Sequence, residues 1–322
     1  MINNGIIKTG LSAAMHFLVD GLCLCCLFLL DSFAGDNDFL TVFLYYNVLA
    51  FLTQPFSGLL ADALPHPHWQ LLASVVLLLL GVVVATFSLT TAASTISSFS
   101  YHLTGILLGL GNSLFHTWGG KQTAVTTDND IRALGVFVST GAFGIAVSLL
   151  FHSWSLLYAM LIAIGLLALT YLYIDKGEVK TLNKKTRPPF PSIIVCVCLI
   201  ALMLAVMLRS YVGERFSCAI PSEHAYIVLL IGFLAMAGKM AGGWIARWFG
   251  VVRSLFVLVA LVAALLLLKG NSQTMMLCGL FAVNCTMPIT LYLANVVMPR
   301  REGLAFGLLA AALMPGYLMA VL

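Results

Sequence analysis

Residues 10–30 read GLSAAMHFLVDGLCLCCLFLL, and this run decides the solvent in which the chain folds. A helix crosses the hydrocarbon core of a bilayer with about 20 apolar residues. The run has that length, and His16 and Asp20 are its only imidazole or charged side chains. No small-residue cleavage site stands between it and the polar stretch Asp31 to Asp38, so it reads as a retained helix and not as a signal peptide.

Further apolar runs follow, separated by short polar breaks. Of 322 residues, 61% are hydrophobic and 9% charged, where soluble proteins carry about a quarter charged residues. No water-soluble core absorbs that much apolar surface. The expected fold class is an all-α polytopic membrane protein, with helices at 9–31, 39–62, 69–90, 101–123, 131–152, 154–175, 191–212, 223–247, 251–268, 273–298 and 301–322. The eight cysteines, among them Cys23, Cys25, Cys26, Cys196 and Cys198, fall almost wholly inside apolar runs. There Cys acts as a small hydrophobe, so neither a disulfide framework nor a zinc site is expected.

The placement of basic residues tests this topology. With the N-terminus in the cytoplasm, the inner side receives Lys8, Lys121, Arg132, Lys176, Lys180, Lys184, Lys185, Arg187, Lys239, Arg247, Arg253, Arg300 and Arg301, which are 13 of the 16 lysines and arginines. Arg209, Arg215 and Lys269 remain, and the acidic Asp31, Asp36 and Asp38 fall outside. The longest charged break runs from Asp175 to Pro191 and has the composition of a solvated linker. It divides the chain into an N-terminal six-helix bundle (1–175), a basic cytoplasmic linker (176–190) and a C-terminal five-helix bundle (191–322). The linker serves topology and tethering, with contact to anionic lipid headgroups as its other reading.

The two parts share a repeat. Gln54-Pro-Phe-Ser-Gly58-Leu-Leu-Ala-Asp62 and Gly238-Lys-Met-Ala-Gly-Gly243-Trp-Ile-Ala-Arg247 both place a glycine four residues before a charged residue at the inner end of a helix. Repeated halves mark secondary transporters that rock one half against the other.

With that repeat, the sequence resembles the major facilitator superfamily, whose loop between helices 2 and 3 carries Gly-x-x-x-Asp. Within it, the chain is similar to the fosmidomycin-resistance type of efflux permease. The similar stretches are His16-Phe-Leu-Val-Asp20, Gln54-Pro with Gly58 and Asp62, Gly109-Leu-Gly-Asn-Ser-Leu-Phe-His116, and Gly135 to Gly144. Leu208-Arg209-Ser-Tyr-Val-Gly213, Met287-Pro288-Ile-Thr, Met298-Pro299 and Gly303-Leu-Ala-Phe-Gly307 continue the series. Thr117 replaces the proline that the subgroup has after its histidine, and Ser148-Leu149 replaces a Gly-Pro. Two halves of six helices are implied, so a twelfth helix is expected to be lacking after Leu322. That would leave the C-terminus outside and a flank open to a protein partner.

Ionisable groups within a bilayer need a partner, a water-filled cavity or a task. His16 and Asp20, four apart, share a helix face. They suit proton coupling, or alternatively a hydrogen bond that pins two helices. Asn112 and His116 repeat that spacing behind Gly105, Gly109 and Gly111. The resemblance makes His116 a proton or substrate ligand, while a carbonyl-satisfied histidine is the other reading. Arg209 either faces the cavity and binds an anion, snorkels outward, or pairs locally beside Glu214 and Arg215. Asn112, Asn284, Asn295 and Tyr45 are further cavity candidates, the helix with Asn284 and Asn295 being interrupted by Pro288. Gly58, Asp62, Gly243 and Arg247 form the expected conformational latch, in which Asp62 accepts hydrogen bonds from a helix N-terminus.

The expected function is proton-coupled secondary transport of a small organic solute by alternating access, in a bacterial cytoplasmic (inner) membrane, with export implied by resemblance. The alternative is a non-transporting membrane subunit that uses the transporter fold to bind a partner. Partners would be the solute, protons and membrane lipid, with no nucleic acid. No Gly-x-x-x-x-Gly-Lys-Ser/Thr and no His-Glu-x-x-His occurs, so no cofactor, no metal centre and no enzymatic activity are expected.

Overall fold

The computed structural model describes residues 4–31, 36–90, 94–175, 192–221, 224–268, 270 and 272–321. The linker 176–190 and Lys269 lie outside the described residues, as do the side chains of Asp36 and Asp38.

Among the described residues every regular element is helical. In chain order they are α1 (Asn4–Asp31), α2 (Asp36–Asn47), a π-helical turn (Val48–Leu52), α3 (Gln54–Ala63), α4 (His68–Thr90), α5 (Ser94–Thr126) and α6 (Ile131–Phe151). There follow α7 (Trp154–Asp175), α8 (Ile193–Cys218), α9 (Ala225–Phe249), α10 (Val251–Leu268), α11 (Gln273–Asn284), α12 (Met287–Val297), α13 (Glu302–Ala311) and α14 (Leu313–Val321).

Among the described residues nine segments are long and apolar enough to cross a membrane, with α11–α12 and α13–α14 each counting as one. The chain is therefore a multi-pass membrane protein. Phe39–Leu52 with α3 passes the same test as a pair bent by 41°, the geometry of a broken span or a re-entrant loop. The π-helical turn and Pro55, which opens α3 without an amide donor, account for the break. α5 has 33 residues, about 50 Å at the usual helical rise, yet its serines, threonines, Asn112 and histidines dilute its hydropathy.

Burial separates the central helices from the peripheral ones. The most apolar windows of α1 and of α11–α12 are both 72% buried, against 11% for α8 and α10, which turn Val197, Ile200, Leu204, Phe256 and Leu261 outward. One large core joins α1, α5, α6 and α7 to α12 and α13, and a smaller one gathers Phe216, Ile227, Val262 and Leu280.

The first half meets the second where α6 packs on α9 and α3 on α13. In lipid, helices gain by close packing of small residues rather than by burying apolar surface. Gly58 and Gly303 face each other so closely that a Cβ on either would meet the other's backbone. Gly243 of α9 likewise lies against the Ile131 carbonyl at the start of α6. A polar knot ties three helix ends within the first half: Asp175 at the end of α7 pairs with Lys8 at 2.6 Å and meets His68 Nε2 at 2.9 Å.

Candidate functional site

α1 turns His16 and Asp20 into the bundle, one helical turn apart, and α5 brings Asn112 and His116 to meet them. His16 Nε2 lies 3.2 Å from Asp20 Oδ2, and His116 Nε2 lies 3.5 Å from Asp20 Oδ1. The two Nε2 atoms are 2.9 Å apart. Asn112 Nδ2 donates to Asp20 Oδ1 at 2.9 Å and to the Tyr46 hydroxyl of α2 at 3.2 Å. His16, Asn112, Tyr46 and Asp20, the last 9% exposed, are buried, and His116 is half-buried.

The outer nitrogens of the two rings fix the proton count. His16 Nδ1 donates to the Phe137 carbonyl at 2.6 Å and His116 Nδ1 to the Asn112 carbonyl at 2.9 Å. A carbonyl only accepts, so both Nδ1 atoms carry hydrogen. Were both rings neutral, two bare Nε2 lone pairs and a carboxylate would face one another. One additional proton, on a ring Nε2 or on the Asp20 carboxyl, resolves this by supplying the cluster with a donor. The inner triad thus accommodates one proton, with which it is neutral overall.

α6 supplies the remaining walls. Phe137 stacks on His16 with ring centroids 5.0 Å apart. One turn farther along α6, Gly141 leaves the triad room, since a Cβ there would meet Asp20 Oδ2 and His16 Nε2. The three ligand atoms all lie within 4.8 Å of one another, a spacing that would also admit a divalent cation. The sequence offered no metal-ligand spacing, because the second histidine arrives from another helix.

The other candidate residues occupy separate places. Asn284, buried at the end of α11, donates its amide to the Leu280 carbonyl at 2.8 Å. Asn295 on α12 donates to Asn129 Oδ1 at 2.8 Å, across the two halves. Tyr45 is exposed beside the His102 ring, while the next residue, Tyr46, is the one that reaches Asn112. Arg209, half-buried on α8, keeps its Nε buried and without a hydrogen-bond partner among the described residues. Lys239 was not anticipated as an interior residue. It is half-buried on α9, within electrostatic reach of Arg209 and Asp20.

Asp62 ends α3 against the N-terminus of α13. Its Oδ1 and Oδ2 accept from the Gly303 and Leu304 amides at 3.0 and 2.9 Å, where the helix dipole also favours an anion. Lys121 stands 3.4 Å away. The second repeat is built differently. Arg247 is exposed and borders a cavity of about 440 Å³ together with Asp128, Asn129, Asp130, Ile131 and Tyr292. Asp130 caps α6 by accepting from the Arg132 amide at 2.9 Å and pairs with its guanidinium at 2.6 Å. That guanidinium hydrogen bond holds the Asp130 carboxyl below the ordinary carboxylate range.

No family model and no curated protein sequence matches the chain. Solved structures do. The E. coli fucose:proton symporter FucP is 14% identical with a TM-score of 0.65, covering 99% of this chain and 91% of that one. The fold is that of the major facilitator transporters. A bacterial homologue of the iron transporter ferroportin, in an outward-facing state, gives 14% identity and a TM-score of 0.62 over 97% of this chain and 90% of its own. The human organic anion transporter MFSD10 gives 15% and 0.64, over 99% and 93%. At these identities the major facilitator likeness establishes architecture, and function has to be argued from the site.

Proposed function

We propose that the chain is a secondary transporter that moves a small organic solute by alternating access, coupled to a proton held by His16, Asp20 and His116. The observation that carries this reading is the 2.9 Å approach of two histidine Nε2 atoms beside Asp20, an arrangement that asks for one proton. Losing that proton leaves three acceptors in mutual contact. Because α1 and α5 each contribute to the triad and α6 encloses it, protonation bears directly on helix packing. An ionisable cluster in the bundle interior is how membrane transporters carry protons.

The transporter fold divides, in this reading, into a six-helix half (1–175) and a five-helix half (191–322), joined by a basic cytoplasmic linker. Gly58 and Asp62 with α13, and Gly243 and Arg247 with the start of α6, form the two latches. Asn112, Asn284, Asn295, Tyr45 and Arg209 belong to the walls of the solute pathway. The side bearing Lys8, Lys121, Arg132 and Arg247 faces the cytoplasm of a bacterial cell, in its inner membrane, by the positive-inside rule. Export is the direction suggested by the resemblance to fosmidomycin-resistance permeases.

Proteoliposomes holding the purified chain test the coupling. Among solutes screened under an imposed pH gradient, at least one is expected to accumulate against its own gradient. Asp20→Asn removes the carboxylate while keeping an acceptor for Asn112, so it should end gradient-driven accumulation and spare exchange at equal pH. Accumulation by Asp20→Asn equal to wild type at every gradient would reject Asp20 as the coupling group.

A further inference from the structure

Two half-buried cations, Arg209 and Lys239, have no ion-pair partner among the described residues. Arg209 Nε is buried without a hydrogen-bond partner among them. Glu214 and Arg215, farther along α8, do not relieve it. Lys239 is set in place by glycines around it. Gly135 of α6 packs on the Lys239 carbonyl, and the adjacent Gly238 closes on the Phe281 carbonyl and on Asn284 Cβ.

The charges that act on Lys239 are Arg209, which repels it, and Asp20, which attracts it, and His116 in turn feels Lys239. The helices packed against α9 are α6, α10, α11 and α12. Of these, α6 and α10 carry charge only at Arg132 and Arg253, near their first turns, and α11 and α12 carry none. Asp20 is already engaged by two histidines and Asn112. The described residues around Arg209 and Lys239 therefore carry an excess of positive charge on membrane-spanning helices, a costly arrangement without an anion.

We propose that Arg209 and Lys239 bind an organic anion, through its carboxylate or phosphoryl group, and that this anion is the transported solute. The proposal rests on the transporter reading above. Arg209 offers a planar fork that grips two oxygens of such a group, and Lys239 adds a point charge from α9. The pair belongs to α8 and α9 of the second half, whereas the proton belongs to α1 and α5 of the first. Solute and proton thus bind on opposite sides of the pathway, with Lys239 in electrostatic contact with both.

Calorimetric titration of the full chain in lipid nanodiscs tests the site, with inorganic phosphate and benzoate as probes and choline and glucose as controls. Saturable binding is expected for at least one anion and for neither control. Phosphate alone would identify a phosphoryl group, and benzoate alone a carboxylate. Arg209→Gln and Lys239→Gln should each weaken binding about tenfold or more, the scale of a lost charge-assisted hydrogen bond. Arg209→Lys, which keeps the charge and guards against misfolding of the neutral variant, should fall between. No binding of either anion, or wild-type binding in both neutral variants, would overturn the site. Flux measurements on the same samples separate the two readings. Gradient-driven flux of an uncharged solute without anion binding would overturn the site and keep the transporter. Anion binding that depends on Arg209 in a chain without flux would support the site and overturn the transporter.

Discussion

His16 and His116 point their Nε2 atoms at each other because each ring's Nδ1 is committed to a backbone carbonyl. That commitment makes the triad sensitive to small displacements. Gly141→Ala places a methyl group where Asp20 Oδ2 and His16 Nε2 now lie, so the carboxylate and the ring must separate. Such overpacking costs about 1–3 kcal/mol. The expected result is a lower melting temperature and loss of proton-driven flux, with helical content by circular dichroism unchanged. Retained coupling would show that the triad tolerates the rearrangement. The two pairs His16 with Asp20 and Asn112 with His116 were legible in the sequence because a spacing of four fixes a shared helix face. Their meeting was not, since the sequence holds no register between α1 and α5. Lys239 escaped for a related reason: it stands among glycines and methionines close to Arg247, and proximity in sequence to a basic helix end masked its depth. Tyr45 and Tyr46 differ by one position, about 100° of helix rotation, and hydropathy did not distinguish which of them turns inward.

At the level of elements, the repeat was readable, and the structure gives its two copies different partners. Asp62 caps α13 from another helix. Asp62→Ala leaves the Gly303 and Leu304 amides without their acceptor, at about 0.5–2 kcal/mol by analogy with helix caps. The loss falls on the contact between α3 and α13, so a Leu304→Cys reporter is expected to react faster with a water-soluble maleimide in the Asp62→Ala background. Equal rates would remove Asp62 from the closure. Asp130 gives a pH-dependent counterpart at the start of α6. Its carboxyl lies below the ordinary range in the folded chain because the Arg132 guanidinium binds its anion. A depressed folded value means that the stabilisation is present above the unfolded pKa of about 4 and is lost as pH falls through the folded value. The melting temperature of wild type should therefore exceed that of Asp130→Asn at neutral pH and approach it on acidification below pH of about 4. A difference independent of pH would assign the effect to the cap hydrogen bond alone. The broken spans were only partly legible: Pro55 and Pro288 marked where α3 and α12 begin, whereas the π-helical turn has no sequence signature.

Over the whole molecule, the contacts of α3 with α13 and of α6 with α9 have a common end. Gly58, Asp62 and Gly303 lie there, as do Gly243, Ile131 and the Asn129–Asn295 bridge. Each joins the first half to the second, so this end of the molecule is drawn together, and the alternating access proposed above requires that it open. Closure depends on backbone meeting backbone, since the atoms nearest a Gly58 Cβ are the Gly303 carbonyl and the Leu304 amide, which cannot swing aside as a flexible side chain can. Gly58→Leu must therefore move α3 and α13 apart. Spin labels at Leu60 and Arg300, both exposed, report that separation by double electron–electron resonance. Wild type is expected to give a distance distribution dominated by the short, closed separation, and Gly58→Leu a longer one. Gly243→Leu wedges α9 against the Ile131 carbonyl instead. If the halves move as rigid bodies, it should lengthen the same Leu60–Arg300 distance even though it touches neither α3 nor α13. An unchanged distance in Gly243→Leu, alongside a longer one in Gly58→Leu, would mean that the two contacts open independently and that this end is gated helix by helix.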